Sequence, residues 1–156
     1  MLLAIDPGNE QSAYVLMDED LKPLHFGKLT NDELLGMIMH GDFKFVANVA
    51  IEMIASYGMP VGATVFETCL WIGKFILAVD IFYGIDANLI YRKDVKMNLC
   101  GTTKAKDGNI RQALIDRFGE VGVKKAPGWF YGFKADIWAA YAVGVTYHDM
   151  KREVTP

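Results

Sequence analysis

Two short apolar segments of this chain each end at a carboxylate, and this pattern constrains the fold more than any other feature. Residues 2–5 (Leu-Leu-Ala-Ile) lead directly into Asp6, and residues 46–54, rich in Val and Ile, carry Glu52 near their end. Apolar runs of this length bounded by turn residues predict buried β-strands. Parallel neighbouring strands place their carboxyl ends at one edge of a sheet, so we expect Asp6 and Glu52 to meet there.

A third carboxylate, Asp136, precedes nine uncharged residues, 137–145. This run predicts a helix with Asp136 in its first turn, where the helix dipole favours an anion. Small residues such as Gly144 would let the helix approach the sheet closely. Each acid also has a simpler interpretation, because Asp6 could form a turn, Glu52 an ion pair and Asp136 a helix cap.

Three clustered carboxylates repel one another unless a cation holds them. Hard oxygen ligands suit Mg²⁺, with Mn²⁺ as a substitute. Two such ions can activate water and stabilise the leaving oxygen of a phosphodiester. Taken together, Asp6, Glu52 and Asp136 therefore predict a catalytic metal site.

The net charge of −3 hides a polarised chain. Residues 91–134 carry ten basic and four acidic side chains, a local charge of +6, whereas the remainder carries −9. A basic segment beside carboxylates is typical of an enzyme that holds a polyanion, and the alternative is a solvated helical surface.

The remaining pattern predicts an α/β fold, with a mixed five-stranded sheet flanked by helices. No repeat or linker interrupts it, so residues 1–156 are predicted to form a single domain. The predicted strands are 2–5, 12–17, 24–28, 46–54 and 88–91, and the predicted helices are 31–40, 61–83, 93–99, 107–119 and 134–148.

The predicted helix 61–83, which we expect to begin at Pro60, has two apolar rows. One row has heptad spacing, and a second lies beside it. The helix could pack one row on the sheet and the other on a second subunit, or be fully buried in the core. The rows are Val65, Cys69, Ile72, Ile76, Val79 and Tyr83, and then Phe66, Leu70, Leu77 and Ile81.

Several protein classes are excluded by composition. The two cysteines, Cys69 and Cys100, are far apart and lack metal-ligand spacing, so we expect a reducing cytoplasm rather than disulfides or zinc. A charge at Asp6 comes too early for a signal peptide. The apolar stretch 61–81 is interrupted by Glu67 and Lys74, which argues against a membrane span.

Three segments in order carry a resemblance to a known family. They are Ala-Ile-Asp-Pro-Gly at 4–8, Val-Ala-Ile-Glu at 49–52 and Ala-Asp-Ile-Trp-Ala-Ala at 135–140. The chain resembles RuvC-like Holliday-junction resolvases of the ribonuclease H-like superfamily, and residues 51–60 look most like bacteriophage versions, which act in the bacterial host cell. The resemblance implies a ribonuclease H-like fold and a homodimer that nicks four-way DNA junctions in pairs with Mg²⁺. It also implies that Asp6, Glu52 and Asp136 are the metal ligands.

The resemblance gives the basic segment a function in DNA binding. Tyr57 and Met59, in the loop after Glu52, could wedge into the junction centre by stacking, or pack on the following helix. Phosphate contacts would set affinity and salt dependence rather than sequence preference. The residues implied to contact phosphates are Lys104, Lys106 and Arg111, with Lys93 and Lys96 behind them.

One departure from the family concerns a fourth ligand. The family usually has an acid or histidine one turn before the last aspartate, where this chain has Phe133. Asp107 is a weak alternative candidate. Two other functions therefore stay open, namely a related nuclease for branched DNA or RNA–DNA hybrids, and a nucleic-acid-binding module without catalysis.

Overall fold

The computed structural model describes residues 1–154 and contains the predicted mixed five-stranded sheet. The strand order is β3-β2-β1-β4-β5. The first three strands form an antiparallel meander, and β1 pairs with β4, and β4 with β5, in parallel. The strands are β1 Leu2–Asp6, β2 Gln11–Met17, β3 Pro23–Thr30, β4 Asn48–Met53 and β5 Asn88–Tyr91.

Helices cover both faces of this sheet, and strand alternation decides which residues meet them. Leu3 and Ile5 of β1 pack in one cluster with α1 and α2, whereas Leu2 and Ala4 pack in the other with α4 and α5. The predicted arrangement of helices flanking a sheet is confirmed. The helices are α1 Asn31–Met39, α2 Ala63–Tyr83, α3 Arg92–Cys100, α4 Asp107–Phe118 and α5 Ile137–Val154.

Helix α5 crosses the sheet at close range because of Gly144. A Cβ placed at this residue would lie 2.1 Å from Cε of Met17 and 3.0 Å from Cβ of Ala4. A larger side chain would overpack this contact. The expected role of small residues in α5 is therefore confirmed at Gly144.

Both predicted boundaries of the last helix are wrong. The last helix begins at Ile137 rather than 134, because Phe133 is buried in the core and Ala135 adopts a left-handed φ of 47°. Asp136 thus precedes the helix, with its carbonyl accepting a hydrogen bond from the Ala140 amide at 3.0 Å. The helix also continues past 148 to Val154, with basic residues in its last turn that favour a helix C-terminus.

Helix α2 begins at Ala63, three residues after Pro60, because extended Gly62 occupies the N-cap position. The region between α4 and α5 contains a two-stranded ribbon that the sequence analysis did not predict, β6 Gly122–Val123 and β7 Ala126–Pro127. Strands of two residues are too short to show an alternating pattern in the sequence.

Helix α2 is buried on one side only. Its residues Ile72, Phe75 and Val79 are at most 2% exposed, so the fully buried alternative is wrong within this chain. The second apolar row faces outward: Phe66, Leu70, Leu77 and Ile81 are 58–69% exposed. Among residues 1–154, no helix is both long and apolar enough to cross a membrane.

Candidate active site

Strand register brings two of the predicted acids together at the carboxyl edge of the parallel strands. The last β1–β4 pair is Ile5 with Ile51, and Asp6 and Glu52 follow directly on the two strands. Alternation places both on the face where Ala4 and Ala50 pack against α5. Asp136 immediately precedes α5, so the same face receives the third acid.

The three carboxylates influence one another electrostatically. Burial, reinforced by the charges of Glu52 and Asp136, raises the pKa of Asp6 to about 8. Burial also raises the pKa of Glu52, with Asp136 adding to the effect and Arg92 opposing it. A carboxylate whose pKa is raised in this way favours a proton or a metal cation beside it.

Lys28 completes one side of the cluster and was missed in the sequence. In the meander, Asp6 pairs with Ala13, and Ala13 pairs with Lys28, so Lys28 lies on the same face two strands away. Its Nζ lies 2.6 Å from Oδ2 of Asp136. The position of Lys28 beside the acids follows only from the register of the two hairpins, and the apolar pattern of the sequence does not fix that register.

Arg92, at the start of α3, was also missed, and it closes the other side of the cluster. Its Nη1 lies 3.8 Å from Oε2 of Glu52, and its Nη2 donates to Oδ1 of Asp107. Arg92, Asp107 and Asp136 line one small cavity of about 60 Å³. Asp107, the candidate replacement for the fourth ligand, therefore lies beside the acidic cluster, where it is bound to an arginine.

Two observations bear on whether these acids could hold a metal ion. Among residues 1–154, no three His, Cys, Asp or Glu side chains form a ready metal-binding group. The donors nevertheless fit a hard divalent cation, since all are carboxylate oxygens and Oε2 of Glu52 is buried without a hydrogen bond. Two of the acids, Asp136 and Glu52, already have basic partners in Lys28 and Arg92. We therefore interpret the site as one in which the clustered carboxylates need positive charge nearby.

Phe133, at the position where the resemblance implies a fourth ligand, belongs to the core. It is 7% exposed and packs edge-to-face against Phe26, Trp138 and Tyr141, with ring centroids 4.7–5.5 Å apart. Such aromatic pairs add stability beyond the area that they bury. A polar ligand at 133 would therefore have to replace a core residue.

The predicted DNA-binding residues divide into separate groups. Tyr57, Lys93 and Lys96 line a groove of about 480 Å³ together with Arg92, which also lines the small cavity beside Asp136. Tyr57 is 61% exposed and has a left-handed φ of 50°. Met59 is 69% exposed, so neither side chain of this pair is buried against the following helix.

The other predicted basic residues lie outside this groove. Lys104 lines a different cavity, between α3 and α4. Lys106 is exposed immediately before α4, and its amide donates to Oδ1 of Asn109. The Arg111 guanidinium lies over the Trp138 ring, 4.7 Å from its centroid. The structure thus places Lys93 and Lys96, but not Lys104, in the groove that shares Arg92 with the cavity beside Asp136.

Solved structures with a similar fold match the chain over nearly its whole length. Thermus thermophilus RuvC gives a TM-score of 0.71 at 19% identity, and T. thermophilus RuvC in complex with a Holliday junction substrate gives 0.73 at 18%; each covers 99% of this chain and 96% of the other. Fowlpox virus resolvase in complex with Holliday junction DNA gives a TM-score of 0.47 at 12% identity, covering 96% of this chain and 99% of that one. No family model and no curated protein matches the sequence. The chain therefore has the RuvC fold, and the predicted ribonuclease H-like α/β class is confirmed.

Proposed function

We propose that the chain is a metal-dependent endonuclease that resolves four-way DNA junctions by paired nicking. The observation that carries this proposal is the meeting of Asp6 and Glu52 at the carboxyl edge of parallel strands, with Asp136 on the same face. The RuvC fold and the junction bound to one of the similar structures support the choice of substrate. Residues 1–156 would act as one nuclease domain.

Each residue of the site has a distinct proposed role. Asp6, Glu52 and Asp136 would hold Mg²⁺ or Mn²⁺, which when bound would polarise the scissile phosphate and activate water. Lys93 and Lys96 line the groove next to the acids, where ammonium groups can bind successive phosphates of a strand. The contacts of these residues with phosphates would position the strand without reading its sequence.

Tyr57 is proposed to stack on an unpaired base at the junction centre, with Met59 beside it. The ring of Tyr57 is exposed and lines the same groove as Lys93 and Lys96. An aromatic face next to phosphate-binding groups is typical of surfaces that hold unpaired nucleotides. Its left-handed backbone is a strained conformation of the kind found at functional sites.

The exposed row of α2 is proposed to form a homodimer interface. Phe66, Leu70, Leu77 and Ile81 lie on one outward face of a 21-residue helix. Large contiguous apolar patches on a soluble surface mark interaction sites. A symmetric dimer would also supply two active sites, as paired nicking requires. We place this activity in a reducing bacterial cytoplasm, on a protein of bacteriophage type, with Cys69 and Cys100 both unpaired.

The test is cleavage of a four-way junction, a fork, an RNA–DNA hybrid and a linear duplex with Mg²⁺. Wild type should nick the junction in symmetric pairs. Asp6→Asn should lower cutting by at least about 10³-fold because it removes a proposed metal ligand, yet bind the junction within about threefold of wild type. The matched control is Asp86→Asn, an exposed acid before the amino end of β5, which should cut normally.

Three outcomes would contradict this proposal. An Asp6→Asn protein that cuts as fast as wild type would remove Asp6 from the site. Tight junction binding by a wild type that cleaves none of the four substrates would favour the catalytically inactive binding module, which the buried Phe133 at the fourth position already suggests. Cleavage of the fork or hybrid in preference to the junction would favour the related nuclease.

A further inference from the structure

Lys28 occupies a position that no part of the proposed mechanism explains. It lies on β3, in register with Ala13 and hence with Asp6, on the face that carries the acids. The small side chain of Ala13 lies between them, so the long stem of Lys28 can cross it toward α5. Its ammonium ends 2.6 Å from Oδ2 of Asp136.

The ion pair between Lys28 and Asp136 is open to solvent. The side chains are 38% and 51% exposed, respectively. Pairs this exposed contribute little free energy, because water screens the charges and both side chains lose rotamer freedom. The pair can therefore separate easily when a stronger cation competes for the carboxylate.

The acids around Asp136 provide the reason for such competition. Asp6 and Glu52 are both more deeply buried than Asp136, and the negative charges oppose each other. Positive charge is therefore needed at this edge whether or not a metal ion is bound. Lys28 supplies one unit of that charge from the protein itself, at an oxygen that a divalent cation would also use.

We propose that Lys28 is an exchangeable counter-ion of the acidic site, which holds Asp136 until a divalent cation displaces it. This inference rests on the proposed metal-dependent function. It assigns Lys28 a positioning role, because the side chain acts through Asp136 rather than on the substrate. The consequence is that metal binding must compete with an internal ammonium group.

The experiment is isothermal titration of each protein with Mn²⁺ in the absence of DNA. Lys28→Met removes the charge and keeps most of the side-chain volume, so Mn²⁺ affinity should rise about two- to fivefold, the scale of an exposed ion pair. Lys28→Arg keeps the charge and should match wild type. Lys44→Met, an exposed lysine in the loop before β4, is the control for a general change in net charge.

A second readout is the Mn²⁺ concentration that gives half-maximal junction cutting, which should fall in Lys28→Met by the same factor. Wild type that binds Mn²⁺ while Lys28→Met binds it no more tightly would overturn this inference alone. An equal rise of affinity in Lys44→Met would also overturn it, since the effect would then be net charge. Wild type that binds no Mn²⁺ would contradict both the inference and the proposed metal mechanism. Circular dichroism melting confirms that each variant is folded.

Discussion

Helices α2 and α5 pack on opposite faces of one sheet, and their surfaces differ in kind. Helix α5 is enclosed over residues 137–146, because it contacts the sheet on one side and α3 and α4 on the other. Helix α2 buries one stripe and leaves the apolar row Phe66, Leu70, Leu77 and Ile81 exposed. The acids therefore gather on the face that this chain itself covers with α5, whereas the helix on the other face keeps an exposed apolar row, which we propose a second copy covers.

The largest effect on assembly is expected at the exposed row of α2. Leu70→Glu places a charge in the middle of the exposed row of α2, and burying an unpaired charge in an interface costs several kcal/mol. We expect the dimer dissociation constant to rise at least about 100-fold, measured by sedimentation velocity. The melting temperature of the monomer should hardly change, since Leu70 is 69% exposed within the chain.

Met150→Glu is the matched control, because Met150 is an exposed apolar residue on α5. It should leave the dissociation constant unchanged. If wild type is monomeric at micromolar concentration, or if both variants dissociate equally, the exposed row of α2 is not a homodimer interface. The row on α2 would then need another partner to explain its exposure.

A smaller effect is expected in the groove that Lys93 and Lys96 line. Lys93→Ala with Lys96→Ala should weaken junction binding about tenfold and make the slope of log affinity against log salt shallower by about two phosphates. Lys104→Ala with Lys106→Ala was expected from the sequence to do the same. In the structure, however, Lys104 lines a separate cavity, so we now expect the smaller change from that pair. Fluorescence anisotropy at several salt concentrations measures both slopes, and equal slopes for the two pairs would contradict this distinction.

Only part of the fold and of the candidate site could be predicted from the sequence. The strands that carry Asp6 and Glu52 at or near their carboxyl ends were predictable, because apolar runs mark buried strands and their ends mark the sheet edge. Lys28 and Arg92 were not, since their places depend on hairpin register and on the turn from β5 into α3. The start of α5 was missed for a similar reason, because the aromatic packing of Phe133 involves residues distant in sequence.

A further expected effect is the pH dependence of stability in EDTA, which arises at Asp6 among the clustered carboxylates. The pKa of Asp6 in the folded protein is raised to about 8, mainly by burial, whereas an unfolded aspartate has a model value of 3.8. The folded state therefore binds more protons than the unfolded state between these values, so stability is highest at low pH and is lost as the pH rises through 8. We expect the free energy of unfolding to fall by on the order of 2 kcal/mol between pH 5 and pH 9, measured by urea titration.

Asp6→Asn should flatten this profile, because the neutral amide cannot titrate, and Asp86→Asn should retain it. Added Mg²⁺ should stabilise wild type more at pH 8 than at pH 6, since the ligands must lose their protons before they bind a metal ion. A wild-type profile that stays flat up to pH 9 in EDTA would mean that Asp6 is ionised without a metal, with Lys28 and Arg92 compensating the cluster fully. In that case the acidic edge would contribute no pH dependence to the free energy of unfolding. The chain's own basic side chains would then supply the positive charge that the carboxylates need.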